Sequence, residues 1–96
     1  HHNAKKAITV LEDLVASQPD SIPLRARIAQ LSLNLGSRER ALEHLNVLGD
    51  LQLEGGQREA AIKTIEAILA LNPPNREMYI DLYREIAQRE PPTDTA

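Results

Sequence analysis

The sequence predicts an all-α fold of five antiparallel helices. Apolar residues recur at intervals of three and four along the chain, and no segment keeps the strict alternation of a β-strand. Glycines, prolines and serines interrupt this pattern, so that each predicted connection is two to five residues long. Such short connections place consecutive helices side by side and antiparallel.

Each predicted helix has recognisable end signals. Ser21 is a good N-cap with Pro23 in the first turn, where a missing N–H leaves no hydrogen bond unmade. Gly36 suits the left-handed residue that follows a helix, and Asn75, directly after two prolines, can cap the last helix. The predicted helices cover residues 3–16, 21–36, 37–55, 57–71 and 75–89.

The apolar residues are distributed differently in the first, third and fifth helices. Those of the third helix point in nearly every direction around its axis, which predicts a central helix that is covered on all sides. The fifth helix has one apolar stripe and is expected at an end of the molecule, with its polar side towards water. The first helix carries an apolar side made of Ala7, Leu11, Leu14 and Val15.

Charge and composition argue against several classes of function. The net charge is −3, and the 11 basic residues are scattered among 14 acidic ones, so no basic patch for nucleic acid is visible. The chain has no cysteine, and no apolar stretch approaches the roughly 18 residues that a membrane span needs. We therefore expect neither nucleic acid nor membrane as a partner, and a cytoplasmic location by default because no export signal is visible.

No group of residues has the spacing of a catalytic or metal site. His44 lacks a second ligand at a metal-binding offset, which favours a partly exposed surface histidine. Carboxylates such as Glu12 and Asp13 lie where solvated helix faces are expected, and most serines lie at helix ends, where capping explains them. Gly55 and Gly56 lack the lysine and the glycine spacing of a phosphate loop. We predict that the chain is not an enzyme and binds no cofactor or metal.

A repeated spacing links the third, fourth and fifth helices. It is carried by Leu45, Leu48, Gly49, Gln52, Ala61, Ile65 and Pro73. A shift of 34 residues moves Leu45, Leu48 and Gln52 onto Tyr79, Leu82 and Ile86. These offsets resemble the tetratricopeptide repeat, a 34-residue helix–turn–helix unit with small residues where the two helices cross. The resemblance covers roughly residues 4–90, or about two and a half repeats, and implies an α-solenoid that serves as an interaction scaffold.

An upstream copy of this spacing begins at Arg25, 20 residues before Leu45. It continues through Ile28, Ala29, Ser32, Ala41 and Leu45. The third helix therefore matches both the second helix of one unit and the first helix of the next, where regular repeats would start 34 residues apart. Simple alternation of first and second helices cannot satisfy both frames, because the concave side would switch after the third helix. A compact five-helix array, or two hairpins that share the third helix, fits this pattern as well as a regular superhelix with one continuous groove.

The resemblance implies a protein or peptide partner. In tetratricopeptide proteins the first helix of each pair lines the surface that binds a partner segment. The positions that match these surface sites are Gln30, Asn34, Asn46, Asp50 and Arg84. Amide side chains suit recognition of a peptide main chain because each offers a donor and an acceptor. Taken singly, each residue is equally well explained as part of an ordinary solvated helix face.

Self-assembly is the alternative hypothesis. The first helix matches the second half of a pair whose first half is not in the chain, so Ala7, Val10 and Leu14 are expected on an uncovered apolar face. A homodimer through this face would cover it. We interpret residues 1–2 as a purification-tag remnant, 3–90 as the repeat domain and 91–96 as a tail, all within a fragment of a larger protein.

Overall fold

A computed structural model describes residues 2–88, with side chains from residue 5 onward, and shows five α-helices. They are α1 (His2–Ser17), α2 (Ile22–Asn34), α3 (Arg38–Glu54), α4 (Arg58–Ala70) and α5 (Arg76–Gln88). The all-α prediction is confirmed, and the described helix ends lie within two residues of their predicted positions. The predicted helix end at residue 89 and the tail at 91–96 fall outside the described residues. Within residues 2–88, no helix is long and apolar enough to cross a membrane.

Two of the predicted end signals, Ser21 and Gly36, are found in the structure. Ser21 is an N-cap whose Oγ accepts a hydrogen bond from the Leu24 amide at 3.3 Å, and Gly36 has the expected left-handed backbone with a φ of +79°. At Asn75, before the start of α5, the side-chain amide nitrogen lies 3.8 Å from Met78 Sδ, and the backbone carbonyl accepts a hydrogen bond from the Met78 amide at 3.1 Å.

The α2–α3 and α3–α4 turns are equivalent, one 20 residues after the other. Leucine, glycine, arginine, glutamate and alanine recur at matching positions in segments 31–41 and 51–61. The matched pairs are Leu31 and Leu51, Leu33 and Leu53, Gly36 and Gly56, Arg38 and Arg58, Glu39 and Glu59, and Ala41 and Ala61. In each turn the amide that follows the left-handed glycine donates to a carbonyl near the end of the preceding helix. Ser37 donates to Ser32 at 2.9 Å, and Gln57 donates to Gln52 at 2.8 Å. The overlap in the sequence spacing therefore corresponds to two helical hairpins that share α3.

The helices are arranged in an elongated row. Within the described part of the chain, each helix packs its backbone against the helices that precede and follow it. The molecule measures 52 × 27 × 17 Å. The prediction that α3 is covered on all sides is wrong, since Glu43, Asn46 and Asp50 are exposed. Its apolar residues serve two different neighbours, α2 and α4, which leaves a third face open to water.

Two apolar clusters hold the row together. The larger one centres on α3 and α4 and reaches both α2 and α5 through the buried residues Ala29, Leu45, Leu48, Ile65, Ile68, Tyr79 and Ile86. The smaller cluster joins α1 to α2 through Ile8, Val15 and Ile28, with Leu11, Leu24, Leu31 and Leu35 packed around them.

The buried side of α1 differs from the predicted one. It runs through Ile8, Leu11 and Val15, whereas Ala7 is half-buried and Leu14 is exposed. The prediction missed Ile8, because the residues that cover a helix are set by its neighbour and an apolar stripe by itself does not identify which flank is covered.

Candidate functional site

A cleft of about 850 Å³ lies between the N-terminal half of α3 and the loop that joins α4 to α5. Glu39, Glu43 and Asn46 of α3 form one wall, and the loop segment 72–75 forms the other. Tyr79, at the start of α5, closes one side. This is the open face of α3 that neither α2 nor α4 covers.

The loop wall is held in place by arginines. Arg38 donates from Nε to the Leu71 carbonyl at 2.7 Å and from Nη2 to the Asn72 carbonyl at 2.8 Å. Arg76 donates to the Leu69 carbonyl at 3.3 Å. Cationic donors at the C-terminal end of a helix satisfy its free carbonyls and complement its dipole. The end of α4 and the wall that continues from it are thus fixed to α3 and α5.

Asn46 is oriented by a neighbouring tyrosine. The Tyr79 hydroxyl donates to Asn46 Oδ1 at 3.0 Å. Burial of the ring, followed by the nearby Asp50 carboxylate, raises the pKa of Tyr79, so the phenol keeps its proton and acts as the donor. With its oxygen engaged, Asn46 has its amide nitrogen left to donate to an occupant of the cleft.

Charges of both signs surround the cleft. Arg38 and Arg40 lie beside Glu39 and Glu43 along the same helix. The Arg40 Nε also lies 3.3 Å from a carboxylate oxygen of Glu12, on α1. Such a mixed rim gives no strong attraction for a highly charged partner, so selectivity has to come from hydrogen bonds and shape.

The structure brings together only part of the predicted peptide-binding set. Asn46 lines the cleft, and Asp50 lies one turn further along α3, close enough to affect Tyr79. Gln30 and Asn34 are exposed on α2 and hydrogen-bonded to each other at 3.2 Å. They do not line the cleft, and neither does Arg84, which is exposed on α5. The cleft residues that sequence reasoning missed include Arg38, Glu39 and the loop asparagines, although the Arg-Glu pair repeated at 38–39 and 58–59 was a visible signal.

The predicted self-association residues lie on the outer side of α1. Val10 is 58% exposed and Leu14 is 44% exposed, and both are among the large apolar side chains most open to water in the described chain. Ala7 is half-buried. An apolar face is therefore present at Val10 and Leu14, with the half-buried Ala7 beside it.

His44 is buried, contrary to the predicted surface position. Only 7% of it is exposed, and it joins three helices. Its Nδ1 lies 3.2 Å from Arg25 Nη1 on α2, and its Nε2 lies 3.0 Å from Glu12 Oε2 on α1. Arginine is only a donor, so Nδ1 accepts and Nε2 donates to the carboxylate. Of the two carboxylates expected on a solvated face, Asp13 is exposed, whereas Glu12 is only 30% exposed and contacts both His44 and Arg40. The cluster is thus a structural link between α1, α2 and α3.

The comparisons with known proteins add no assignment to this site. No protein-family model, no curated protein and no solved structure matches the chain. The resemblance to tetratricopeptide repeats therefore rests on residue spacing, and the cleft has to be interpreted from its own geometry. Within residues 5–88, no group of three or more histidine or carboxylate side chains is placed to hold a metal ion.

Proposed function

We propose that the chain is a protein–protein interaction module whose α3–α5 cleft binds an extended segment of a partner protein. The observation that carries this proposal is a cleft of about 850 Å³ with one wall fixed by Arg38 and an amide donor oriented by Tyr79. Its volume lies in the range of roughly 300–1,000 Å³ that is usual for binding sites. A prearranged site of this kind loses little conformational entropy when it binds.

The chemistry of the cleft suits a peptide main chain. The Asn46 amide can donate to a peptide carbonyl, while Glu39 and Glu43 can accept from main-chain amides or from a basic side chain. Leu42 and the adjacent prolines Pro73 and Pro74 provide apolar surface for the side chains of the bound segment. Binding, and not catalysis, is the function that these groups support.

The tetratricopeptide resemblance supports the same proposal. Within the frame that begins at Leu45, α3 and α5 both match first helices of a unit, the helices that line the partner surface in that family. The cleft is bordered by these two helices. The two helices are linked through α4 and the connection on each side of it, and Arg38 of α3 is hydrogen-bonded to the loop wall.

Affinity selection tests the proposal directly. A library of random dodecapeptides displayed on phage would be selected against the wild-type chain, with Asn46→Ala and Gln30→Ala as variants. We expect selected peptides to lose about tenfold in affinity for Asn46→Ala, the loss of one hydrogen bond, and to bind Gln30→Ala unchanged. Thermal unfolding of Asn46→Ala controls for the lost Tyr79 contact. Peptides that bind both variants equally, or no selected peptides, would contradict the proposal.

Self-association is the second candidate function, and the exposure of Val10 and Leu14 favours it. Two large apolar side chains one turn apart on an open helix face gain free energy when they are covered. Light scattering over a range of protein concentrations would detect the expected dimer. Val10→Asp should convert it to a monomer, because a charge would then lie in the centre of the contact. Met78→Asp, at an exposed apolar residue of α5, is the matched control and should leave the dimer intact.

A further inference from the structure

The exposed face of α1 has a self-complementary pattern. At 3.6 residues per turn, Val10 lies at the middle of the face that points away from the buried Ile8 and Val15. Lys6 and Asp13 lie together on one flank of Val10, one turn before it and one turn after it. Ala7 and Leu14 lie in the same way on the other flank. Lys6, Asp13 and Leu14 are exposed, and Ala7 is half-buried.

An antiparallel two-fold axis at Val10 matches these flanks to each other. Such an axis reverses the direction of the helix but keeps each flank on its own side of the interface. Lys6 of one copy then meets Asp13 of the second copy, and Ala7 meets Leu14, while the two Val10 side chains meet at the axis. The two-fold symmetry makes the Lys6–Asp13 and Ala7–Leu14 contacts occur twice in the dimer, whereas the Val10 contact at the axis occurs once.

A parallel two-fold arrangement does not match them. It exchanges the flanks, so that Lys6 meets Ala7 of the second copy and Asp13 meets Leu14. Both charges would then lie against apolar surface without a partner, which is unfavourable. The charge pattern of the face therefore favours the antiparallel arrangement.

We propose that the α1 face binds a second copy of this chain, with the two α1 helices antiparallel and crossing at Val10. This inference rests on self-association, the second candidate function, and adds its geometry and its residue pairs. The contact is one helix face from each copy, at the low end of the area of specific interfaces, so we expect a weak dimer with a dissociation constant of roughly 100 μM.

Charge reversal tests the pairing. Lys6→Glu places a carboxylate against Asp13 of the second copy, and Asp13→Lys places an ammonium group against Lys6 of the second copy, so each variant alone has two repulsive pairs. An equimolar mixture of the two variants has only attractive pairs in its heterodimer. In sedimentation equilibrium at low salt and up to about 1 mM protein, we expect each variant to lose about tenfold in dimer affinity, and the mixture to recover it. Lys6 and Asp13 are both exposed, so the variants are expected to fold, and circular dichroism would check this.

The outcomes separate the inference from its premise. A wild-type chain that stays monomeric at 1 mM overturns self-association and this geometry together. A wild-type dimer, with a mixture that is no more associated than its separate components, overturns the antiparallel pairing while self-association stands. Recovery in the mixture that fades at high salt, where exposed charge pairs are screened, supports the pairing of Lys6 with Asp13.

Discussion

The two helical hairpins that share α3 have the same turn but different polar interiors. In the α3–α4 hairpin, Thr64 Oγ1 donates to Gln52 Oε1 at 2.6 Å, and both side chains are buried. The positions 20 residues earlier in the α2–α3 hairpin hold His44 and Ser32. Ser32 is fully buried, and its hydroxyl has no hydrogen-bond partner. His44 instead contacts Arg25 and, on α1, Glu12.

This difference shows that an equivalent turn does not make an equivalent hairpin. The α3–α4 hairpin satisfies its buried polar pair with its own residues, whereas the α2–α3 hairpin depends on α1 to complete the contacts of His44. The half of the molecule that carries the cleft is therefore the self-contained one. The N-terminal half depends on the docking of α1, whose outer face is the one we assign to a second copy.

The largest expected effects come from one isoleucine in each apolar cluster. Ile65→Ala removes a buried side chain from the larger cluster and should lower the free energy of unfolding by about 3–4 kcal/mol. Ile8→Ala should cost less, about 2 kcal/mol, because α1 can detach while the rest of the row stays folded. Urea unfolding gives both values, and hydrogen exchange should show faster exchange in α1 alone for Ile8→Ala. Equal losses with uniformly faster exchange would mean that the two halves unfold as one unit.

The next largest difference in stability is expected between variants of the buried Thr64–Gln52 pair and of Ser32. Thr64→Val keeps the shape of the side chain but leaves Gln52 Oε1 buried without its donor, so it should destabilise the fold by about 1–2 kcal/mol. Ser32→Ala, at the position equivalent to Gln52, removes a hydroxyl that has no partner and should be neutral or stabilise by up to about 1 kcal/mol. Thermal unfolding of the two variants measures the contrast. A loss for Ser32→Ala as large as that for Thr64→Val would show that the Ser32 hydroxyl is hydrogen-bonded in solution.

The two turns should respond alike to alanine. Gly36 and Gly56 have φ values of +79° and +75°, where an added Cβ is strained, so each substitution should cost about 1–2 kcal/mol. Gly49→Ala is the control within α3. There a Cβ would meet Thr64 Cγ2 at 3.6 Å, an ordinary contact, so the better helix propensity should add about 0.5–1 kcal/mol of stability. Chemical denaturation measures the free energy of unfolding of all three alanine variants. Clearly different losses for Gly36→Ala and Gly56→Ala would show that the two turns are not energetically equivalent.

The smallest expected effect is a difference between the two tyrosines. The pKa of Tyr83 is raised first by its hydrogen bond to Glu66 and then by that carboxylate's charge, whereas burial is the main cause of the raised pKa of Tyr79. Glu66→Gln should therefore lower the pKa of Tyr83, and Asp50→Asn should change that of Tyr79 less. Ultraviolet titration of phenolate in Tyr79→Phe and Tyr83→Phe backgrounds resolves each group. A Tyr83 titration that Glu66→Gln does not move would contradict the contact.

The raised pKa values of Tyr79 and Tyr83 set the direction in which the stability of the fold changes with pH. Because both folded-state pKa values are raised, the unfolded chain loses its phenol protons first as the pH rises. The stability that the two hydroxyls contribute is therefore complete below about pH 10, the ordinary pKa of tyrosine, and is lost as the pH rises through the raised values. Unfolding measured between about pH 9 and 12 should show this loss, and Tyr83→Phe should reduce it.

The sequence was sufficient to predict the helices and their turns, because these depend on local signals. Apolar spacing of three and four residues, Ser21 as an N-cap and Gly36 after α2 all act within one turn of the chain. The relation between the hairpins was also visible, since the 20-residue shift from Arg25 to Leu45 appears in the spacing alone.

Contacts between distant helices were not predictable in the same way. The burial of His44 depends on its contacts with Arg25 and Glu12, which lie 19 and 32 residues before it. No local sequence pattern indicates that these residues meet. The cleft depends in the same way on Arg38, which reaches carbonyls 33 and 34 residues further along the chain. Asn46 was included in the predicted site by its repeat position, but the tyrosine that orients it is 33 residues away.

The most direct test of the cleft as the binding site is to map a bound peptide by NMR. The backbone amide shifts of the ¹⁵N-labelled chain would be followed while a selected dodecapeptide is added. The account predicts that the largest shifts fall in the first half of α3 and at Asn72 and Asn75, since the two prolines between them have no amide proton, with α1 unchanged. Shifts centred on α1 or α2, with the α3–α5 cleft unaffected, would contradict it.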